Sequence, residues 1–169
     1  MDNVINYAVY EDAKEYLGLA NVQLPDLTAL TTALSGAGIA GNVETVVLGH
    51  IDAMTMSMAF HTFCKEQSSL AEMRPHTLDL RVAQQETNSS TGEYTVNNVK
   101  HVARVTPKKL GLGKLAPAST ADASGEYAVD YFASYINDEK MIEIDPRNYI
   151  CIINGTDYLA DVRKALGKQ

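Results

Sequence analysis

Residues Gly36 to Gly41, GAGIAG, carry the spacing G-x-G-x-x-G. In dinucleotide-binding proteins this spacing seats a pyrophosphate on the first turn of a helix. That chemistry needs a buried strand before the glycines, a helix after them and a ribose-binding acid about 20 residues on. Here the preceding LTALTTALS sets Leu27, Leu30 and Leu34 at helical spacing, while its threonines and serine favour extended backbone. The following NVETVVLG is β-branched and strand-like, and the next acids, Asp52 and Glu66, fall at a strand start and in a helix. The context does not fit a phosphate cradle. The glycines are expected to supply positive φ and close backbone approach in a shaped loop.

The other chemistry-bearing residues fare no better. GLGKL, Gly111 to Leu115, resembles the end of a P-loop, but it lacks the earlier glycine, and Leu115 stands where Ser or Thr would hold magnesium. His50, His61, His76 and His101 are not spaced as ligands with one another, with cysteine or with acids. Cys64 and Cys151 lie far apart in apolar segments and read as buried free thiols, which suits a reducing compartment. Glu143 and Asp145 share one face of a strand, as many solvated pairs do, and no G-x-S-x-G elbow is present. The expectation is therefore no catalytic residue, no metal and no cofactor.

The elements around these residues are mostly strands. VINYAVYE and YLGLANVQLP read as short strands about a charged turn. Met54, Met56, Met58 and Phe60 alternate with Ala53, Thr55, Ser57 and Ala59, so one face of that strand is heavy and apolar and the other small. TFCKEQSSLAEM predicts a helix capped by Thr62, with Phe63, Leu70 and Met73 as its buried stripe. HTLDLRVAQQE and EYTVNNVKHVARV predict a hairpin about TNSSTG, and EYAVDYFASYI with MIEIDP predicts another about NDEK. Between the hairpins, residues 107–125 read as a long loop rich in Gly, Ala, Ser and Pro. YICIING adds a strand and DYLADVRKALG a closing helix ended by Gly167. Tyr127, Tyr131 and Tyr135 recur four residues apart, which places them on one strand face, as core edge or as contact surface. The pattern predicts about eight strands, two or three helices and a single domain over 1–169.

The chain has 169 residues, 46% of them hydrophobic and 21% charged, which is enough for one well-formed core. Its formal charge of −7, with 14 Lys and Arg against 21 acids, argues against general affinity for nucleic acid and would repel a polyanion passing by. The acid at position 2 and the lack of an apolar run predict no signal peptide and no membrane span.

Taken in order, these pieces resemble the major tail tube protein of contractile-tailed phages and phage-tail-like bacteriocins. The resemblance rests on VQLPDL leading through TTALSGAGIAGNVET to DAMTMSMAFHTF, and on the ending YINDEKMIEIDPRNYICIINGTDYLADVRKALG. It implies a mainly β (α+β) fold, a small antiparallel β-barrel or sandwich with a flanking helix and long interface loops. It also implies hexameric rings, stacked into a tube that a sheath protein surrounds and drives as a rigid piercing rod. The implied partners are other copies of the chain, the sheath protein, the tape measure protein, and baseplate and tail terminator proteins. No membrane anchoring is implied, and DNA enters only as transient cargo if the particle is a phage. Assembly is expected in the host bacterial cytoplasm, followed by residence in a virion tail or an extracellular tail-like particle. Gly36, Gly38, Gly41, Lys108 and Lys109 are the expected subunit-interface residues, and Thr55 and Ser57 are expected to face the lumen. Two alternatives stand beside this reading: the tube protein of a related secretion or injection system, and a monomeric β-barrel that binds a small ligand.

Overall fold

A computed structural model describes residues 3–16 and 18–168 of the chain. Within them the strands are β1 (Asn3–Glu11), β2 (Lys14–Tyr16), β3 (Leu19–Gln23), β4 (Ala29–Leu34), β5 (Val43–Ile51), β6 (Met54–Phe60), β7 (His76–Thr87), β8 (Tyr94–Gly111), β9 (Ala123–Ile136), β10 (Glu139–Asp145), β11 (Ile150–Ile153) and β12 (Thr156–Asp157). Two short helices, α1 (Lys65–Leu70) and α2 (Ala160–Ala165), and a 3-10 turn at Pro146–Asn148 complete the order. The fold is mainly β and antiparallel, with a flanking helix.

Local chemistry sets the hairpins. Asp12–Ala13, Asn137–Asp138 and Asn154–Gly155 each hold positive φ at both turn positions, the geometry whose twist matches that of the flanking strands. A longer turn closes β7 on β8, with the Asn88 N–H donating to the Glu93 carbonyl at 2.9 Å.

One large sheet runs β12-β11-β10-β9-β8-β7-β1-β2, and β9 gives it a branch. Along one edge β9 pairs with β8 throughout. Along the other, residues 123–129 pair with β6 and residues 132–136 pair with β10. β6 in turn pairs with β3, so the sheet curls towards its own far end. β2 and β3 are not hydrogen-bonded to each other, so the expected barrel is not closed. A recess of about 180 Å³ marks the seam, lined by Tyr7, Val22, Leu24, Leu80 and His101 among others.

The core lies inside this curl. Met54, Met56, Met58 and Phe60 all point into it, against Leu78, Leu80, Val105, Tyr127, Phe132 and Ile144. The phenol of Tyr127 lies back across Gly125, where an added Cβ would stand 2.4 Å from the hydroxyl, so only glycine fits there.

Several expectations need correction. LTALTTALS contains β4, a strand, because its threonines and its pairing with β5 outweigh the leucine spacing. Helix α1 is capped by Cys64 rather than Thr62; Leu70 is buried, but Phe63 is exposed and Met73 is 91% exposed. Only 6 residues long, against the 12-residue stretch expected, α1 buries only Gln67 and Leu70. β8 continues through Pro107, Lys108 and Lys109 to Gly111, so the loop expected over 107–125 shrinks to the stretch between β8 and β9. Tyr127 does not share a face with Tyr131 and Tyr135. A register shift opposite Arg104 and Val105 leaves Asp130 as an extra residue, and the side-chain alternation flips there. Glu143 and Asp145 are buried rather than solvated; Asp145 accepts from the Asn148 backbone N–H at 3.3 Å and caps the 3-10 turn.

Candidate assembly surfaces

Two surfaces gather the residues singled out in the sequence. The first is a four-stranded wall made of β3, β6, β9 residues 123–129 and β8 residues 106–111. Its inner face is the methionine-rich core. Its outer face follows from the pleat and is built of small or polar side chains: Thr55 is exposed and Ser57 is half-buried. Register sets Ser57 beside Gln23 on β3 and Glu126 on β9. Lys108 is the extra residue of a bulge in β8, and its Nζ donates to Thr55 Oγ1 at 3.0 Å across the intervening strand. Lys109 is paired with Glu126. This face therefore carries two lysines beside Glu126, a mixed surface rather than the carboxylate-screened one expected from the net charge.

Both long edges of this wall are open among the described residues. β3 pairs only with β6, and β8 beyond Val105 pairs only with β9. Lys108 and Lys109 sit on one of these edges. Exposed N–H and C=O rows of this kind invite another strand.

The second surface is an arm. β4 and β5 pair only with each other and form a separate two-stranded sheet. Leu30, Leu34, Val43, Val46 and Leu48 are all exposed on it, Leu48 at 60%. Alternation puts Leu30 and Leu34 on one face and Val46 on the other, so both faces of the arm expose large apolar side chains. The arm is fastened at its base: the Asp52 N–H donates to the Thr28 carbonyl at 2.7 Å, and Leu159 packs so tightly on Gly49 that a Cβ there would lie 2.5 Å away. Gly36, Gly38 and Gly41 form its tip, at φ of 152, 95 and 128°, with nothing of their own chain near the missing side chains. A strand precedes them and a strand follows, so no helix N-terminus faces this loop.

The sequence reading missed two buried polar anchors. Glu11 accepts from the Tyr16 hydroxyl, from Arg74 at 3.2 Å and from the His76 ring at 2.7 Å, while the other His76 nitrogen donates to the Glu72 carbonyl at 2.9 Å. Burial alone would raise the Glu11 carboxyl; the hydrogen bonds from Tyr16 and His76 and the Arg74 charge hold it below the usual range. Burial and the Glu11 bond push the Tyr16 phenol up. Gln67 is the other anchor. Its amide donates to the carbonyls of Gly111 at 3.2 Å and Ser124 at 3.1 Å, tying α1 to the neck of the loop between β8 and β9. The partners stand many residues apart, and only the helical phase of Gln67 and the apolar flanks of His76 hinted at burial.

Isolated buried groups differ from these anchors in having little around them to exploit. Burial raises the Tyr127 phenol to about 12 and lowers the His101 imidazole, whose Nδ1 lies 2.7 Å from Ser134 Oγ.

Comparisons with known proteins bear on the family and the fold. A family model described as "Phage tail tube protein FII" matches residues 2–167. No curated protein sequence matches the chain. Among solved structures, the sheath/tube terminator of an extracellular contractile injection system (PVC), in its extended state, superposes with a TM-score of 0.55 at 10% identity, covering 79% of this chain and 95% of that one. The sheath–tube complex of the same kind of system gives a TM-score of 0.51 at 11% identity, covering 76% of this chain and 87% of that one. At such identities the likeness is one of fold.

Proposed function

Because the chain belongs to the phage tail tube protein FII family, and is a structural protein rather than an enzyme, we propose that it closes into hexameric rings that stack as the inner tube of a contractile phage tail or phage-tail-like bacteriocin. The observation that carries this reading is the wall with an open edge on each side. The β3 edge and the β8 edge differ, so pairing one copy's β8 with the next copy's β3 is a head-to-tail contact, which closes a ring when the rotation allows. Lys108 and Lys109 then lie at the joint. The arm reaches a neighbouring subunit and covers its leucines and valines there, with Gly36, Gly38 and Gly41 letting two backbones approach. Thr55 and Ser57, central on the outer face of the wall, line the lumen.

In this arrangement the tube conducts DNA or the tape measure protein and serves as the rod that the sheath drives. Its ends meet the baseplate and the tail terminator. Assembly takes place in the host cytoplasm, before the particle matures into a virion tail or an extracellular tail-like particle. The structural neighbours favour a second reading, the tube of a related injection system, which shares the same ring chemistry. A sheath gene and a tape-measure gene beside a phage head cluster would separate the two. The recess at the seam, where a barrel would hold its ligand inside the curl, is about 180 Å³, below the roughly 300–1,000 Å³ of small-molecule pockets, which weighs against a ligand held within the curl.

Native mass spectrometry with negative-stain imaging tests the ring. Six-subunit rings are expected; a single-subunit mass at every concentration would overturn the reading. In the double variant Thr55→Lys, Ser57→Lys rings are expected to persist, since a water-filled bore has room for both side chains. Loss of rings in that variant would place these residues in packing and not in the lumen.

A further inference from the structure

Two surfaces of opposite charge lie at opposite ends of β7. Where β7 turns into β8, the hairpin tip exposes Glu86 and Glu93. The β9–β10 turn at the same end, bonded to β8 through Asn137 N–H and the Asn98 carbonyl at 2.7 Å, adds exposed Asp138 and Glu139. The tip is pre-shaped: Asn88 Oδ1 accepts from the backbone of Ser90 at 2.9 Å and of Thr91 at 3.3 Å, and Asn97 donates to Glu86 at 3.0 Å. Tyr94 and Val96 project, largely exposed, from one of its faces.

At the other end lies a groove of about 650 Å³. Arg147, Arg163 and Lys168 line it; Arg163 engages the Asp157 carboxylate within the groove, and Arg147 Nε lies 3.3 Å from Asp130 at its margin with its guanidinium 76% exposed. Its apolar part includes Ile152 and Tyr149, with Lys168 Nζ 4.9 Å from the centre of the Tyr149 ring. Arg163 also donates to the Tyr149 carbonyl at 2.6 Å, which fixes the groove's shape. The pairings Cys151–Ile144, Ile144–Phe132, Phe132–Ala103 and Ala103–Leu78 set the groove level with the start of β7. The tip follows Thr87, so the two surfaces stand roughly 30 Å apart along the strand at ~3.3 Å per residue.

We propose that the groove receives the acidic β7–β8 tip of a second copy in the adjacent ring, so that stacking is a directional contact between unlike ends of the subunit. This rests on the ring reading: edges that close a ring lie side by side around it, and strand ends then face along its axis. The chemistries match in both respects. Carboxylates of the tip meet three cations in a chain whose overall charge is −7, and Tyr94 and Val96 meet Tyr149 and Ile152. Charge of opposite sign at the two ends also disfavours head-to-head stacking, since like charges would then face each other.

The test uses the whole chain with two surface double variants, Glu86→Lys with Glu93→Lys, and Arg147→Glu with Lys168→Glu. Rings and stacks are counted by negative-stain imaging and sedimentation, with the thermal midpoint as a check that each variant folds. Each double variant is expected to keep its rings and lose its stacks, and mixing the two variants is expected to restore stacks in which the two alternate. In the wild type, stacking is expected to weaken as salt rises. Stacks of wild-type length in either variant would overturn the axial contact while leaving the ring intact. So would stacks that persist in Arg147→Glu, Lys168→Glu while a co-expressed sheath protein no longer decorates them, which would assign the groove to the sheath. A wild type without rings would instead sink the ring reading, and the axial contact with it.

Discussion

The body and the arm of this protein are both antiparallel β-structure, yet they bury their apolar residues in opposite ways. In β6 every second side chain enters the core, and Met56 has no exposed surface. In the arm, β4 and β5 carry as many large apolar groups, and Val46 is 59% exposed. A two-stranded hairpin alone is at best marginally stable in water. The difference separates two kinds of information in the sequence: residues that fold one copy, and exposed apolar residues that its own core does not use.

The sharpest way to break this comparison is to weaken each side in turn. Met56→Ala removes a buried side chain from the body and should lower folding stability by about 2–5 kcal/mol. An unchanged denaturation midpoint would mean that this face is not core. Glu11→Gln comes next, because it strips charge from the anchor that joins β1, β2 and the start of β7; the expected loss is about 1–3 kcal/mol at neutral pH. The folded carboxyl lies below its ordinary value of about 4.3, so its contribution is present above that pH and fades as pH falls through the folded value. Wild type and variant should therefore converge in stability only in acid, below about pH 4. A gap of equal size at pH 3 and pH 7 would rule out an ionised Glu11 as its source. The smallest effect on folding belongs to the arm. Gly38→Val strains a backbone at φ 95°, but it meets no neighbour within its own chain and sits in an exposed turn, so folding stability should fall by about 1 kcal/mol, the low end of such strain. Ring formation, in contrast, should fail. A variant that unfolds readily, or that assembles as well as wild type, would erase the distinction between body and arm.

Legibility in the sequence followed the same division. β6, the two long hairpins and β11 are readable because alternation and turn residues act locally, and the core needs nothing more than period two. β4 was ambiguous because its leucines face no core, and an exposed apolar strand has no reason to keep a clean alternation. The bulge at Asp130 was invisible for a different reason. Nothing within β9 demands it; the demand comes from changing partners between β6 and β10. Gln67 and His76 were missed because a buried polar side chain is defined by partners that the sequence does not place beside it. Lys108 and Lys109 read as loop residues because Pro107 ahead of them suggests the end of a strand; on an open edge proline costs no ladder bond.

The sharing of β9 between two neighbours has a mechanical consequence. Its first residues belong to the wall beside β6 and its last to the sheet beside β10. Layers of a sandwich that touch only through side chains slip past one another when sheared. Here a load applied to the outer sheet travels into the wall along a continuous peptide chain, and the ladder to β8 runs beside it over both halves. Shearing one layer against the other would require tearing hydrogen bonds in register rather than sliding oily surfaces. The subunit is therefore braced against shear between its two layers by covalent bonds, and its stiffness does not rest on how well its methionines pack.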